Sequence, residues 1–444
     1  MRFRDLKKSR LSWRPIGYIG IMIFSCVMGY LVYLSQKPIV LEFGMFVGSN
    51  WDVANANSYV IIDKVIEQFE KEHPGVTVHY TSGIRKSDYS EWFAQKVLKG
   101  EMPDVAMILS DDFDQLVSLG VLQNLDELSK KDRSFEPSKF YQSALKIGSY
   151  EGGQYALPYE IVPMLMFVNK SLLNDEGFMV PEENWTWDDL YEICSKITKD
   201  TDNDGRIDQF GTYNYGWSEA VYANGEKLFN EDGSEVYFTD KKVIDSIKFL
   251  KKLTELNKGV KVTQNDFDAG NVAFMPLSFA EYRTYKAYPY KIKKYSTFKW
   301  DCITMPSGES GDNLSEVSAL LMGISSHSKH KKLAWELLKM FTYNEAFQMD
   351  IFRYSQGASA LKAVTNSKEA EQILSEDTDD RERVIDTRLL HNVIENGVIT
   401  PKFPQYRQIM ALAGGEVDKI LSDEKDVEST LKITQRTVES LIQK

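Results

Sequence analysis

The sequence predicts an α/β protein built from helix-covered sheets. Two observations carry this. Short apolar runs alternate with stretches of helical period along the first third of the chain, which is the pattern of a parallel, helix-covered sheet. The stretch Gly152–Lys170 then opens on a Gly-Gly turn signal, passes Pro158 and the polar pair Tyr159–Glu160, and becomes almost purely apolar over Ile161–Val168. That last run reads as a strand buried on both faces. An extended segment leading from one packed region into another, with an aromatic ring and a carboxylate at the crossing, would join two lobes. The same residues also fit a strand–loop–strand inside one domain.

Taken in order, Val40–Val47 is a strand and Gly48–Asp52 a loop. A helix begins at Ser58, places Val60, Ile61, Val65, Ile66 and Phe69 on one face, and stops at His73-Pro74-Gly75. Val76–Tyr80 and Val105–Leu109 are strands, with helices at Asp88–Leu98 and Phe113–Leu119. Ligands of such sheets sit beyond the carboxyl ends of the strands. That singles out Asn50, Trp51 and Asp52, then Arg85 and Lys86, then Asp111 and Asp112. Further on, Thr186 followed three residues later by Asp189 makes a capping box, so Trp185 and Trp187 read as packing at a helix start. Val243–Leu256 and His330–Phe341 are helices. Phe267–Pro276 is a turn into a strand, Trp300–Met305 a strand that crosses back, and Ser318–Ile324 a buried strand. From Tyr343 the pattern is helical to the end, apart from Gln356–Ala360 and Asn396–Tyr406.

The amino-terminal tail carries Arg2, Arg4, Lys7, Lys8, Arg10 and Arg14 against Asp5. Ile16–Leu34 has no charge, and as a helix at ~1.5 Å per residue it spans about 28 Å, close to a hydrocarbon core. The charge asymmetry predicts an uncleaved transmembrane anchor with a cytoplasmic tail and an extracellular globular part. A cleavable signal, or a lipid on Cys26, are the other readings, and all three put the globular part outside the cytoplasm. Three cysteines form no disulfide framework, and Cys194 and Cys302 read as buried small hydrophobes. The net charge of −12 argues against nucleic acid, which requires clustered Lys and Arg.

Few residues announce chemistry. Asp200, Asp202, Asp204, Arg206 and Asp208, around Gly205, follow the spacing of a calcium loop: hard oxygen ligands about a sharp turn, with Arg206 at the backbone-carbonyl position. Gly211 stands where the bidentate Glu would be, and the other reading is a polar Asp-Gly turn without metal. Tyr213, Tyr215 and Trp217, beside Gly216 and Asn214, form an aromatic cluster outside any helical period and read as a ligand platform. No nucleophile elbow, zinc helix motif or phosphate loop occurs. His327 and His330 lack a third ligand nearby in sequence. Paired carboxylates occur throughout so acidic a chain, and none ranks above another as a glycosidase pair.

Several stretches together resemble the family 1 extracellular solute-binding proteins of ABC importers, the oligosaccharide-binding type. They are Phe69–Val78, Gly100–Val105 through Gly120–Leu122, Tyr155–Pro158 through Asn169–Leu173, the Trp185–Leu190 helix start, the Asp-rich loop ending at Phe210-Gly211, and Ser325–Phe341. The resemblance implies a type II, two-lobed periplasmic-binding-protein-like fold, each lobe a helix-covered, mostly parallel sheet. Its implied division is 39–155 with 300–342 for the first lobe and 156–299 with 343–444 for the second, after an anchor at 1–38. It also implies ligand contacts at Asn50–Asp52, Asp111–Asp112, Tyr159–Glu160, the Trp217 region, Phe279, Glu281, Tyr282 and Tyr406. Ser278-Phe279-Ala280 stands where the family frequently carries Gly-x-Trp. The expectation is a monomeric binder that needs no cofactor beyond a structural calcium ion. It would close on a carbohydrate and dock on permease subunits. Arg85, Lys86 and Arg283 leave an acidic sugar open. A ligand-sensing ectodomain reporting to a signalling partner, or an extracellular carbohydrate-active enzyme, are the rival readings.

Overall fold

A computed structural model describes residues 38–286, 298–376 and 385–442, except 402, 404 and 423. The tail, the Ile16–Leu34 segment and Cys26 lie outside the described residues. Among the described residues, no helix is long and apolar enough to cross a membrane.

The chain starts as the sequence predicts. Strand β1 (Ile39–Gly44) leads to helix α1 (Val60–Glu72), which buries Ile61, Ile62, Val65 and Phe69. The helix stops where Pro74 cannot continue it, and Gly75 takes φ +88° to turn into strand β2 (Val76–Tyr80). Helix α2 (Lys86–Leu98), strand β3 (Val105–Ile108) and the short helix α3 (Phe113–Ser118) follow. β1 lies between β2 and β3, parallel to both.

Strand β4 (Ala156–Asn169) is the axis of the molecule, a single extended run with almost every residue buried. Its first half, Ala156–Pro163, pairs antiparallel with β8 (Val317–Ile324), which in turn pairs with β3. Its second half pairs antiparallel with β6 (Val272–Ser278) on one edge and β7 (Trp300–Ile303) on the other. The short strand β5 (Phe210–Thr212) lies parallel to β6. One strand thus serves two sheets, giving the order β2-β1-β3-β8-β4-β6-β5. This is the two-lobed architecture. The expected mostly parallel sheets are instead mixed: strands that carry the chain between lobes run against their neighbours, and among the described strands the parallel pairs are β2-β1-β3 and β5-β6.

Helix α4 (Trp187–Ile197) has the Thr186/Asp189 capping box and stacks Trp187 on Phe249 at 4.3 Å. α5 (Trp217–Ala223), α6 (Lys241–Glu255) and α7 (Phe279–Lys286) cover the second lobe. In the first lobe, α8 (Lys331–Thr342) and α9 (Glu345–Tyr354) pack on α1. The helix Thr387–Glu395 packs beside Gln142–Ile147 in the same lobe, while α10 (Tyr406–Leu421) and α11 (Val427–Ile442) return to α6. The expected division is therefore displaced at three places. Residues 345–376 and 385–395 cover the first lobe, Ala156–Pro163 pairs into the first-lobe sheet, and Trp300–Ile303 belongs to the second-lobe sheet. Apolar periodicity shows that a helix face is covered, not which lobe covers it.

Candidate functional site

The register places the cleft. Ile108, at the carboxyl end of β3, is level with Leu321 of β8, and Leu321 with Pro158 of β4. Ser278, at the carboxyl end of β6, is level with Met164. The carboxyl ends of strands from both lobes therefore converge on the stretch Pro158–Met164, where the polar pair Tyr159–Glu160 sits.

Glu160 is 3% exposed. Its Oε1 accepts hydrogen bonds from the Ser355 hydroxyl at 2.6 Å and the Gly357 backbone N–H at 2.5 Å. Burial pushes its carboxyl above the usual range, opposed by Ser355, Gly357, the Trp51 indole and the Arg283 charge. The Trp51 N–H is buried and turned towards Glu160, but falls outside hydrogen-bond geometry. Asn50, Asn55, Asn57, Tyr159, Glu160 and Ser355 line a cavity of about 30 Å³. That is room for about two waters, far below the ~300 Å³ or more of a small-molecule site, and its lining comes from the first lobe alone, so it is a recess in the first-lobe wall.

The second-lobe wall is aromatic. Trp217 is half-buried and meets Phe238 edge-on at 5.8 Å. The buried Tyr222 hydroxyl faces that of Tyr406 without full hydrogen-bond geometry. Burial, with Glu316, Glu219 and Asp111 nearby, pushes Tyr406 up to about 12. Its neighbour Arg407 reaches across to Asp111, closing the mouth, and Lys146 of the first lobe similarly meets Glu231 of the second.

Of the sequence-predicted residues, Asn50, Trp51, Asp111, Tyr159, Glu160 and Tyr406 fall along this convergence, while Trp217 packs in the second lobe against Phe238. The others also lie off it. Phe279 and Tyr282 are fully buried and stack on each other at 6.0 Å, because Phe279 opens a helix and turns inward. Glu281 caps that helix, accepting from the Ser278 N–H and hydroxyl at 3.0 and 2.8 Å. Tyr215 is core, its hydroxyl accepting from the Trp187 indole at 3.2 Å. Asp52 is exposed, at φ +56°, and pairs with Lys86 at 3.0 Å. Arg85 is exposed, and Asp112 accepts from the Ser90 hydroxyl at 2.6 Å. Arg283 is buried and donates to the Phe352, Ser355 and Gly357 carbonyls, so it braces a turn. Trp217, expected outside any helix, is the first residue of α5.

Sequence reading missed Asn55, Asn57, Tyr222, Ser355, Gly357 and Arg407. The break of helical period at Gln356–Ala360 was the signal for the turn. Nothing local marked Arg407.

The Asp-rich loop is an ordered turn. Asn203 and Gly205 take positive φ, and the Asp200 carboxylate accepts from the backbone of Asn203, Asp204 and Gly205. Carboxylate oxygens of Asp200, Asp202 and Asp208 lie within 4.8 Å of one another. Oxygen donors so gathered fit a hard cation such as calcium.

A two-lobed α/β scaffold with its cleft at converging strand ends defines a ligand-clasping binding protein. The chain belongs to the bacterial extracellular solute-binding protein family, whose model matches residues 54–346. Solved structures of the same fold include an ABC substrate-binding protein of Listeria monocytogenes in complex with cycloalternan (20% identity, TM-score 0.67, 91% of this chain and 99% of that one). The cyclic alpha-maltosyl-1,6-maltose binding protein of Arthrobacter globiformis is similar (14%, TM-score 0.74, 91% and 99%). So is the sugar-binding protein MalE of Xanthomonas citri (13%, TM-score 0.72, 91% and 97%).

Proposed function

We propose that this chain is the membrane-tethered, extracellular substrate-binding component of an ABC importer and captures a carbohydrate between its lobes. The convergence of both lobes' strand ends on Trp51, Tyr159 and Glu160 carries the reading. The oligosaccharide ligands named for structures of the same fold support the substrate class. A sugar offers apolar ring faces and a crown of hydroxyls. Trp51 and Trp217 would stack on the faces, and Tyr406 would flank them. Asp111 and Glu160 would take hydroxyl protons in charge-assisted bonds, while Asn50, Asn55 and Asn57 supply both donors and acceptors. A guest touching both walls binds the closed form better and shifts the population towards it. No step is covalent.

The basic tail followed by Ile16–Leu34 supports a retained anchor, with delivery to permease subunits in the same membrane. The Asp200–Asp208 loop would hold a structural calcium ion away from the cleft. A thermal-shift screen against mono- and oligosaccharides, followed by small-angle scattering of any hit, tests the reading. A raised melting temperature with a more compact profile is expected. Release of smaller sugars from labelled oligosaccharides would instead make the protein an enzyme, and identical profiles with every sugar would end the clasp.

A further inference from the structure

In the first lobe, parallel βαβ units put strand starts and helix ends at one pole, opposite the cleft. That pole carries a groove of about 350 Å³ with a mixed lining, Val40, Val97, Met102 and Val121 on one side and His327, Lys329 and His330 on the other. Its floor is fixed: Asp104 accepts from the Ser328 hydroxyl at 2.5 Å and the Glu42 N–H at 3.0 Å. Three of the five exposed large hydrophobics among the described residues belong to this pole: Val40 at 39%, Leu98 at 86% and Leu119 at 66%. Leu98 ends α2, and Leu119 follows α3, two residues before Val121 of the groove. Lys99 and Lys329 stand exposed beside them.

The chain itself says what such a pole meets. The uncharged run ends at Leu34 and β1 begins at Ile39, so only Ser35, Gln36, Lys37 and Pro38 intervene. Fully extended, that path from Leu34 to Ile39 reaches at most about 17 Å. If Ile16–Leu34 crosses the bilayer, the pole that carries the start of β1 cannot leave the membrane surface. Exposed leucines flanked by lysines are what a surface needs to settle into an anionic headgroup layer.

We propose that the pole bearing Val40, Leu98 and Leu119 is a membrane-docking face that fixes the orientation of the first lobe, leaving the second lobe free to swing. The proposal rests on the tether reading above.

The full chain, reconstituted in vesicles of phosphatidylcholine and phosphatidylglycerol, tests it. Single labels are placed at Leu98→Cys, Leu119→Cys and Met179→Cys in a Cys26→Ser background; Cys194 and Cys302 are buried and do not compete. Met179, 88% exposed, lies in the second lobe and is the control. Spin-labelled lipids should quench the probes at 98 and 119 about twofold or more, as for side chains ~5–10 Å into the headgroup boundary, and leave 179 unchanged. Membrane-bound protein with no quenching at 98 and 119 overturns the docking face and leaves the tether standing. Equal quenching at all three sites overturns the fixed orientation. Protection at 98 and 119 from an aqueous quencher, in the detergent-solubilised full chain and growing with protein concentration, gives the face to a second copy instead. Loss of the Cys26→Ser protein from washed membranes overturns both the retained anchor and the docking face, and assigns the attachment to a lipid on Cys26.

Discussion

The backbone N–H of Gly357 is hydrogen-bonded to the Glu160 carboxylate at 2.5 Å, and a Cβ at residue 357 would lie 2.4 Å from Glu160 Cγ. The turn at 355–357 and the crossing strand therefore fit only because residue 357 has no side chain. Arg283, reaching from the second lobe, holds the carbonyls of the same turn. Three segments from distant parts of the sequence thus meet where the lobes join.

Gly357→Ala should therefore push strand and turn apart. The expected loss is about 1–3 kcal/mol, the range for an added methyl in a packed core. Urea unfolding reads it. An unchanged midpoint would mean that the turn moves freely from Glu160, and that the joint is looser than its geometry.

Glu160 should make stability depend on pH. Its folded-state pKa is raised above the ordinary 4.5, chiefly by burial. Below 4.5 the group is protonated in both states and adds no penalty. As pH rises from there towards the folded value, only the unfolded chain ionises freely, so stability falls; above the folded value the loss is constant. Glu160→Gln keeps an acceptor for Ser355 and Gly357 and should remove this slope. Melting temperatures of both proteins across the acid range decide it, and identical slopes would count against the assignment.

The Arg407–Asp111 and Lys146–Glu231 pairs bridge the lobes at exposed positions. Such pairs contribute little, and salt screens them. Arg407→Ala or high salt should shift the ligand-free population towards the open form by a few-fold, seen as a larger radius of gyration. A ligand-bound sample should change much less. No change in either sample would show that these contacts do not govern closure.

Trp217→Ala should weaken sugar binding at least about tenfold, the cost of losing ~1.4 kcal/mol of stacking. Its ring also meets Phe238, so part of the core goes with it. Trp217→Phe separates the two effects by keeping the packing. Calorimetry on the folded protein should give an affinity between wild type and Ala. Unchanged affinity in the Ala variant would remove Trp217 from the site.

For the Asp-rich loop, a chelator should lower the melting temperature of calcium-loaded protein, and Asp202→Asn should abolish that response. Asp202 is the informative position because it accepts from one backbone N–H of the loop, that of Asp204 at 3.1 Å, a bond Asn can still accept, whereas Asp200 accepts from three and Asp208 holds both the N–H and the hydroxyl of Thr201. Absence of any shift on chelation would leave a turn held by its own hydrogen bonds.

Sequence periodicity alone determined most of the elements. The Thr186/Asp189 cap, the His73-Pro74-Gly75 stop and the apolar run at Ile161–Val168 are local rules obeyed by a few consecutive residues, so they are legible without neighbours. The polar pair Tyr159–Glu160 stood out because it interrupts that apolar context. Tertiary structure decided what touches it. Phe279, Tyr282 and Tyr215 carry side chains equally able to stack on a sugar or to fill a core, and only the direction of the helix or loop that holds them chooses. Gly357, Tyr222 and Arg407 reach the convergence from chain positions far from Glu160, brought there by strand register and by helices returning to a lobe. The physical reason is that period and capping depend on contacts within a turn or two of chain, while a cleft is made of surfaces whose complementarity exists only after two distant halves of the chain have met.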